Sequence, residues 1–166
     1  MPHALYVCLQ DDSKIAVFAI DSERGQLSPR AEVPLAGGPS VMALSPDRQK
    51  VYVGTRTEPA ISTYGIDQGT GSLTLQGSAA TKHAPTFLAP DRTGKYLLSA
   101  YYQGGLVAVQ PIEADGTVGT QPIDQHETAA GAHAISNRLF EPLRLRPAHR
   151  PHSGQCIGAA ARQPRS

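Results

Sequence analysis

The sequence predicts an all-β fold assembled from repeated four-stranded sheets, and three observations carry that reading. A repeat of 46 residues is visible: Ile15-Ala-Val-Phe-Ala-Ile-Asp21 recurs as Ile61-Ser-Thr-Tyr-Gly-Ile-Asp67. Each copy leads into a Gly-x-Leu, Gly25-Gln-Leu27 and then Gly71-Ser-Leu73. Second, each unit breaks into short runs that alternate with period two or are rich in β-branched and aromatic residues, separated by Pro-Asp and Gly turn signals. Third, no segment shows a convincing helical period.

Within the second unit these signals place strands near 40–45, 50–55, 60–66 and 72–78, four to the repeat. That is the anatomy of a β-propeller blade, usually about 40–45 residues long. A twisted four-stranded sheet with two apolar faces cannot cover both by itself, so such sheets stack radially and each covers the next. A second repeated element supports the division: Ser45-Pro-Asp-Arg-Gln-Lys-Val-Tyr-Val53 returns as Ala89-Pro-Asp-Arg-Thr-Gly-Lys-Tyr-Leu97. The third copy of the first element is looser, Leu106-Val-Ala-Val109 followed by Gly116-Thr-Val118. Val, Ile, Leu and Ala are expected to do most of the packing, with Tyr52, Tyr64, Phe87 and Tyr96 as larger fillers between blades. Asp47 and Asp91, each after a proline and before a strand, read as turn formers.

Composition narrows the function classes. With 40% hydrophobic and 17% charged residues the chain falls within ordinary globular averages, so a buried core is expected. The Met1 end carries neither a basic start nor an apolar run, and no apolar stretch approaches the ~20 residues that span a bilayer, so the protein is expected to be cytoplasmic. Cys8 and Cys156 give neither a disulfide framework nor a metal-ligand spacing, and no metal or other cofactor is expected. No Gly-rich loop follows a strand and opens a helix, and no G-x-S-x-G elbow is present.

The charge is unevenly spread. Residues 1–135 hold 9 Lys and Arg against 13 Asp and Glu, whereas 136–166 hold 6 Arg against Glu141 alone. That basic tail has no aromatic interleaving and no Lys, and Pro142, Pro147, Pro151 and Pro164 would break an amphipathic helix. No nucleic-acid or membrane partner is therefore expected.

The wording of the repeats resembles a known family. Gly38-Pro-Ser-Val-Met-Ala-Leu-Ser-Pro-Asp-Arg48, Val51-Tyr-Val-Gly-Thr-Arg56, Leu97-Leu-Ser-Ala-Tyr-Tyr-Gln-Gly104 and Gly131-Ala-His-Ala-Ile135 are similar to the seven-bladed β-propeller lactonases, which include bacterial 6-phosphogluconolactonases and fungal carboxymuconate cyclase. The resemblance covers residues 4–135. It implies a partial β-propeller of about three four-stranded blades from a seven-bladed parent. It further implies a metal-independent hydrolase that opens 6-phosphogluconolactone, or a related sugar-acid lactone, in the pentose phosphate pathway of carbohydrate metabolism.

Seven blades need about 315 residues at this repeat length, so the expected division is a partial lactonase domain over 1–135 and an irregular, out-of-frame tail over 136–166. From Ser136 onward the sequence loses strand alternation and turns to Arg, Pro and Ala. A one-base shift near Asn137 would allow codons for a turn and an apolar strand to continue the blade pattern. The truncated chain is then expected to be inactive or weakly active, and to self-associate through the open propeller edge.

In a propeller the inner strand of each blade lines a central channel, and its starting end shares a face with the loop between the second and third strands. His133 begins an inner strand where the earlier blades carry Ser40 and Thr86, after Pro39 and Pro85. By resemblance, His133 matches the family histidine proposed as acid/base. Imidazole, ordinarily titrating near ~6.5, suits the removal of a proton from water at neutral pH. Arg56 is the expected phosphate ligand, since a guanidinium fork matches phosphate oxygens, and Tyr101, Tyr102 and His83 are expected to meet substrate hydroxyls. Lys82, Gln103 and Glu58 read as solvated loop residues. The alternatives to a lactonase are a non-catalytic propeller used as a binding platform and a fragment with no function of its own.

Overall fold

The computed structural model describes residues 3–136 and 157–158. The first sheet contains β1 (His3–Leu9), β2 (Lys14–Asp21) and β3 (Gln26–Pro34) in the order β1-β2-β3. The second is a complete meander of β4 (Pro39–Leu44), β5 (Lys50–Thr55), β6 (Ala60–Ile66) and β7 (Leu73–Ala80). The third runs β8 (Phe87–Pro90), β9 (Tyr96–Tyr101), β10 (Leu106–Pro111) and β11 (Asp124–Glu127), inner to outer. Every pairing within these sheets is antiparallel. No helix occurs among the described residues.

The second strands are buried on both faces, which explains their continuous apolar runs. In β5, Val51 and Val53 pack with Ile15, Leu35 and Tyr64 toward the first sheet, while Tyr52 packs with Leu88 and Leu97 toward the third. The outer strands β3 and β7 are largely exposed and correspondingly polar. Of the expected fillers, Tyr52 and Tyr64 are buried and Phe87 is half-buried, but Tyr96 stands 37% exposed at the start of β9.

Repeats in sequence become repeats in geometry. Bulges recur at Val17/Phe18 and Thr63/Tyr64, the same place in successive blades. Tyr6 Oη donates to Gly71 O of the next blade at 2.9 Å, and Tyr52 Oη repeats the reach to Gly116 O at 3.4 Å. Pro-Asp turns also close as expected: Asp47 accepts from Ser45 Oγ and Gln49 N, and Asp91 accepts from Thr93, Lys95 and Tyr96.

The strand number of the first sheet differs from the expected four: the sheet has three. In the repeat alignment β1 corresponds to β5 and β9, so the inner-strand place taken by β4 and β8 has no counterpart beside β1 among the described residues. Beyond Ser136, two residues of the tail are also described. Ile157–Gly158 form a two-residue strand, β13, that pairs in parallel with β12 (Ile135–Ser136). A parallel pair is not the antiparallel second strand that a continued blade would supply. The rest of the tail expectation lies outside the described residues.

Candidate active site and the chain's relatives

The starts of β4, β8 and β12 lie in neighbouring repeats, on the inner-strand side. β4 packs between β1 and β8, and β12 against β8 and β9. Equivalent buried residues stand at or just before these starts: Pro39, Pro85 and Ala132. The next residue of each repeat is Ser40, Thr86 and His133. Ser40 Oγ lies 3.5 Å from Gly54 O and Thr86 Oγ1 3.0 Å from Ala100 O, the same relation one repeat apart.

His133 is exposed, two residues before β12. Its ring meets the edge of Tyr102 at 6.1 Å between centroids and 86° between planes. Three backbone links hold this pair. Thr86 Oγ1 lies 3.1 Å from Ala132 O, adjacent to His133, and accepts from Tyr102 N at 3.2 Å. Gly131 N donates to Tyr102 O at 3.1 Å, with Gly131 at φ 100°, a conformation that favours glycine.

Arg56 lies in the β5–β6 turn at the same end of the propeller. Its backbone N donates to Gly37 O at 2.7 Å, and its guanidinium Nη1 to Gln10 Oε1 of the first sheet at 3.4 Å. The guanidinium fork thus stays exposed with donors to spare.

Tyr101 and His83 sit elsewhere. Tyr101 ends β9 at 4% exposure, and the pleat sends its side chain away from that of Tyr102. Burial pushes its phenol pKa up, against the opposing hydrogen bonds of Ser99 and Gln110. His83 lies against Gly104, where an added Cβ would fall 2.7 Å from its ring. Both line a cleft between the second and third sheets that includes neither His133, Tyr102 nor Arg56.

The sequence carries no signal for Gln10 at this site, and marks Thr86 only as the small hydroxyl counterpart of His133. Among the described residues no group of three His, Cys, Asp or Glu side chains converges as metal ligands. No described helix is long and apolar enough to cross a membrane.

Stacked antiparallel sheets of three, four and four strands, with Ser40, Thr86 and His133 at equivalent inner-strand places, define a propeller segment. The family described as lactonase, seven-bladed β-propeller matches residues 4–139, and the chain belongs to it. The 6-phosphogluconolactonase of Pectobacterium atrosepticum is 36% identical over 136 residues, which is 82% of this chain and 40% of that protein. That of Yersinia pestis (strain Pestoides F) is also 36% identical with the same coverage. The periplasmic gluconolactonase of Pseudomonas aeruginosa superposes with a TM-score of 0.70 at 21% identity, covering 78% of this chain and 40% of its own, a likeness of fold. The chain spans about 40% of the length of the relatives it matches.

Proposed function

We propose that residues 1–135 form about three blades of an enzyme that hydrolyses 6-phosphogluconolactone, or a related sugar-acid lactone, in the cytoplasmic pentose phosphate pathway. The observation that carries this reading is His133, exposed at an inner-strand start and held beside Tyr102 by the Thr86 and Gly131 contacts. Kinship with 6-phosphogluconolactonases supports the substrate.

In this mechanism the unprotonated His133 nitrogen takes a proton from water as the water oxygen attacks the lactone carbonyl carbon. The tetrahedral oxyanion collapses, the ring C–O bond breaks, and the leaving alkoxide recovers the proton from the imidazolium. Tyr102 fixes the ring edge-on and offers its phenol to substrate hydroxyls. Arg56, free to present its fork, takes the phosphate. Donors for the oxyanion would come from later blades that close the channel and exclude water.

The test is kinetic, in a protein carrying all seven blades. His133→Ala is expected to lower kcat by about 10²–10⁴, and Arg56→Ala to raise KM for the phosphorylated lactone more than for the unphosphorylated one. An unimpaired His133→Ala enzyme removes His133 from the mechanism.

A further inference from the structure

The repeat provides an internal control for the cleft between the second and third sheets. Clefts of about 570 Å³ and 720 Å³ open at equivalent places, the smaller between sheets one and two, the larger between sheets two and three. The first cleft is lined by Tyr64 and Leu35, which belong to the apolar core, and its hydroxyls are used locally: Thr55 on Glu58 O, Ser62 on Ser78.

One repeat later the same places carry a different chemistry. Val53 becomes Ser99 and Tyr64 becomes Gln110, and Tyr101 stands where the first cleft has Thr55. Ser99, Tyr101 and Gln110 are 0%, 4% and 3% exposed. Ser99 Oγ lies 3.1 Å from Tyr101 Oη, 3.2 Å from Gln110 Oε1 and 3.4 Å from Ala108 O, so the three side chains form one hydrogen-bonded cluster. The preceding blade fills the places of Ser99 and Gln110 with Val53 and Tyr64 of its apolar core. Blade packing therefore does not require the polar cluster.

Tyr101 and Gln110 reach the wall of the cleft, joined there by Gln125 and Glu127 on β11 and by Thr81 and His83 on the link from β7 to β8. Amide, phenol, imidazole and carboxylate groups together donate and accept, as a hydroxyl does. The wall has no Arg, and Lys82 is opposed by Asp124 and Glu127, which disfavours an anion. We propose that this cleft is a second binding site, separate from the channel mouth, for a neutral hydroxyl-rich molecule of monosaccharide size.

The site is tested on the 166-residue chain by amide chemical-shift titration with D-glucose and myo-inositol, with D-glucose 6-phosphate as the anionic control. Saturable shifts are expected at Thr81, Gln110 and Gln125, with Tyr102 and His133 unmoved, so the result is independent of the lactonase reading. Gln110→Leu is expected to weaken binding about tenfold or more while leaving Tm unchanged or raised. Tyr101→Phe is expected to weaken binding too and serves if the first variant fails to fold. Absence of saturable shifts with both neutral probes, tighter binding of the phosphate ester, or undiminished affinity in both variants would each overturn the proposal.

Discussion

One hydroxyl, that of Thr86, joins three backbone segments at the channel mouth: Ala100 in its own blade, Tyr102 in the adjoining turn and Ala132 beside His133. Thr86→Val keeps the shape and strands those groups, so it is expected to cost about 1–3 kcal/mol, measured by denaturant unfolding, and Thr86→Ser to recover most of it. His133→Ala at an exposed site should stay within about 0.5 kcal/mol of the parent, which separates catalytic from structural loss. Cys8 offers a pH test. Burial raises its thiol to about 11, so it stays neutral at pH 8 and should react with thiol reagents slowly in the folded chain and much faster in denaturant. Sequence reasoning grouped Tyr101 with Tyr102 as loop neighbours. Because β9 extends through Tyr101, the pleat separates them, one into the interblade cleft and one beside His133.

The strands of the second blade were legible because turn and core signals agree there. Pro46-Asp47 punctuates the chain, Val51-Tyr52-Val53 is buried on both faces, and β5 and β6 fall at the expected 50–55 and 60–66. The first blade has one strand fewer than the four-strand repeat predicts, because the residues before β2 supply only β1, the counterpart of β5 and β9. Truncating the two-faced strands should be costly: Leu97→Ala, at 0% exposure, is expected to lose about 2–5 kcal/mol by chemical denaturation. Turn aspartates give an acid limit. Hydrogen bonds from Ser45 and Gln49 hold the Asp47 carboxyl below its usual range. At Asp91 partial burial pushes upward, but the bonds from Thr93, Tyr96 and Lys95 outweigh it. A carboxylate favoured in the folded state stabilises above its unfolded pKa near ~3.9 and loses that contribution as pH falls through the lower folded value. Tm is therefore expected to drop below about pH 4, and less steeply in Asp91→Asn, which cannot titrate.

As a whole the described residues form an arc, with three sheets stacked and β1 lacking a strand on its inner side. Leu5 and Leu27 of the first sheet are 37% and 51% exposed, an apolar surface of the kind another blade covers. The 166-residue chain should accordingly associate in a concentration-dependent way, visible by sedimentation velocity, and a purely monomeric profile would argue against an open arc. The same geometry sets the decisive measurement: hydrolysis of 6-phosphogluconolactone, above its spontaneous opening, by the 166-residue chain and by a fusion in which residues 1–135 are continued by the later blades of the Pectobacterium atrosepticum relative. The fusion is expected to turn over the lactone through His133 while the short chain gives little or no activity. Robust turnover by the short chain, or an inactive but well-folded fusion, would contradict the account.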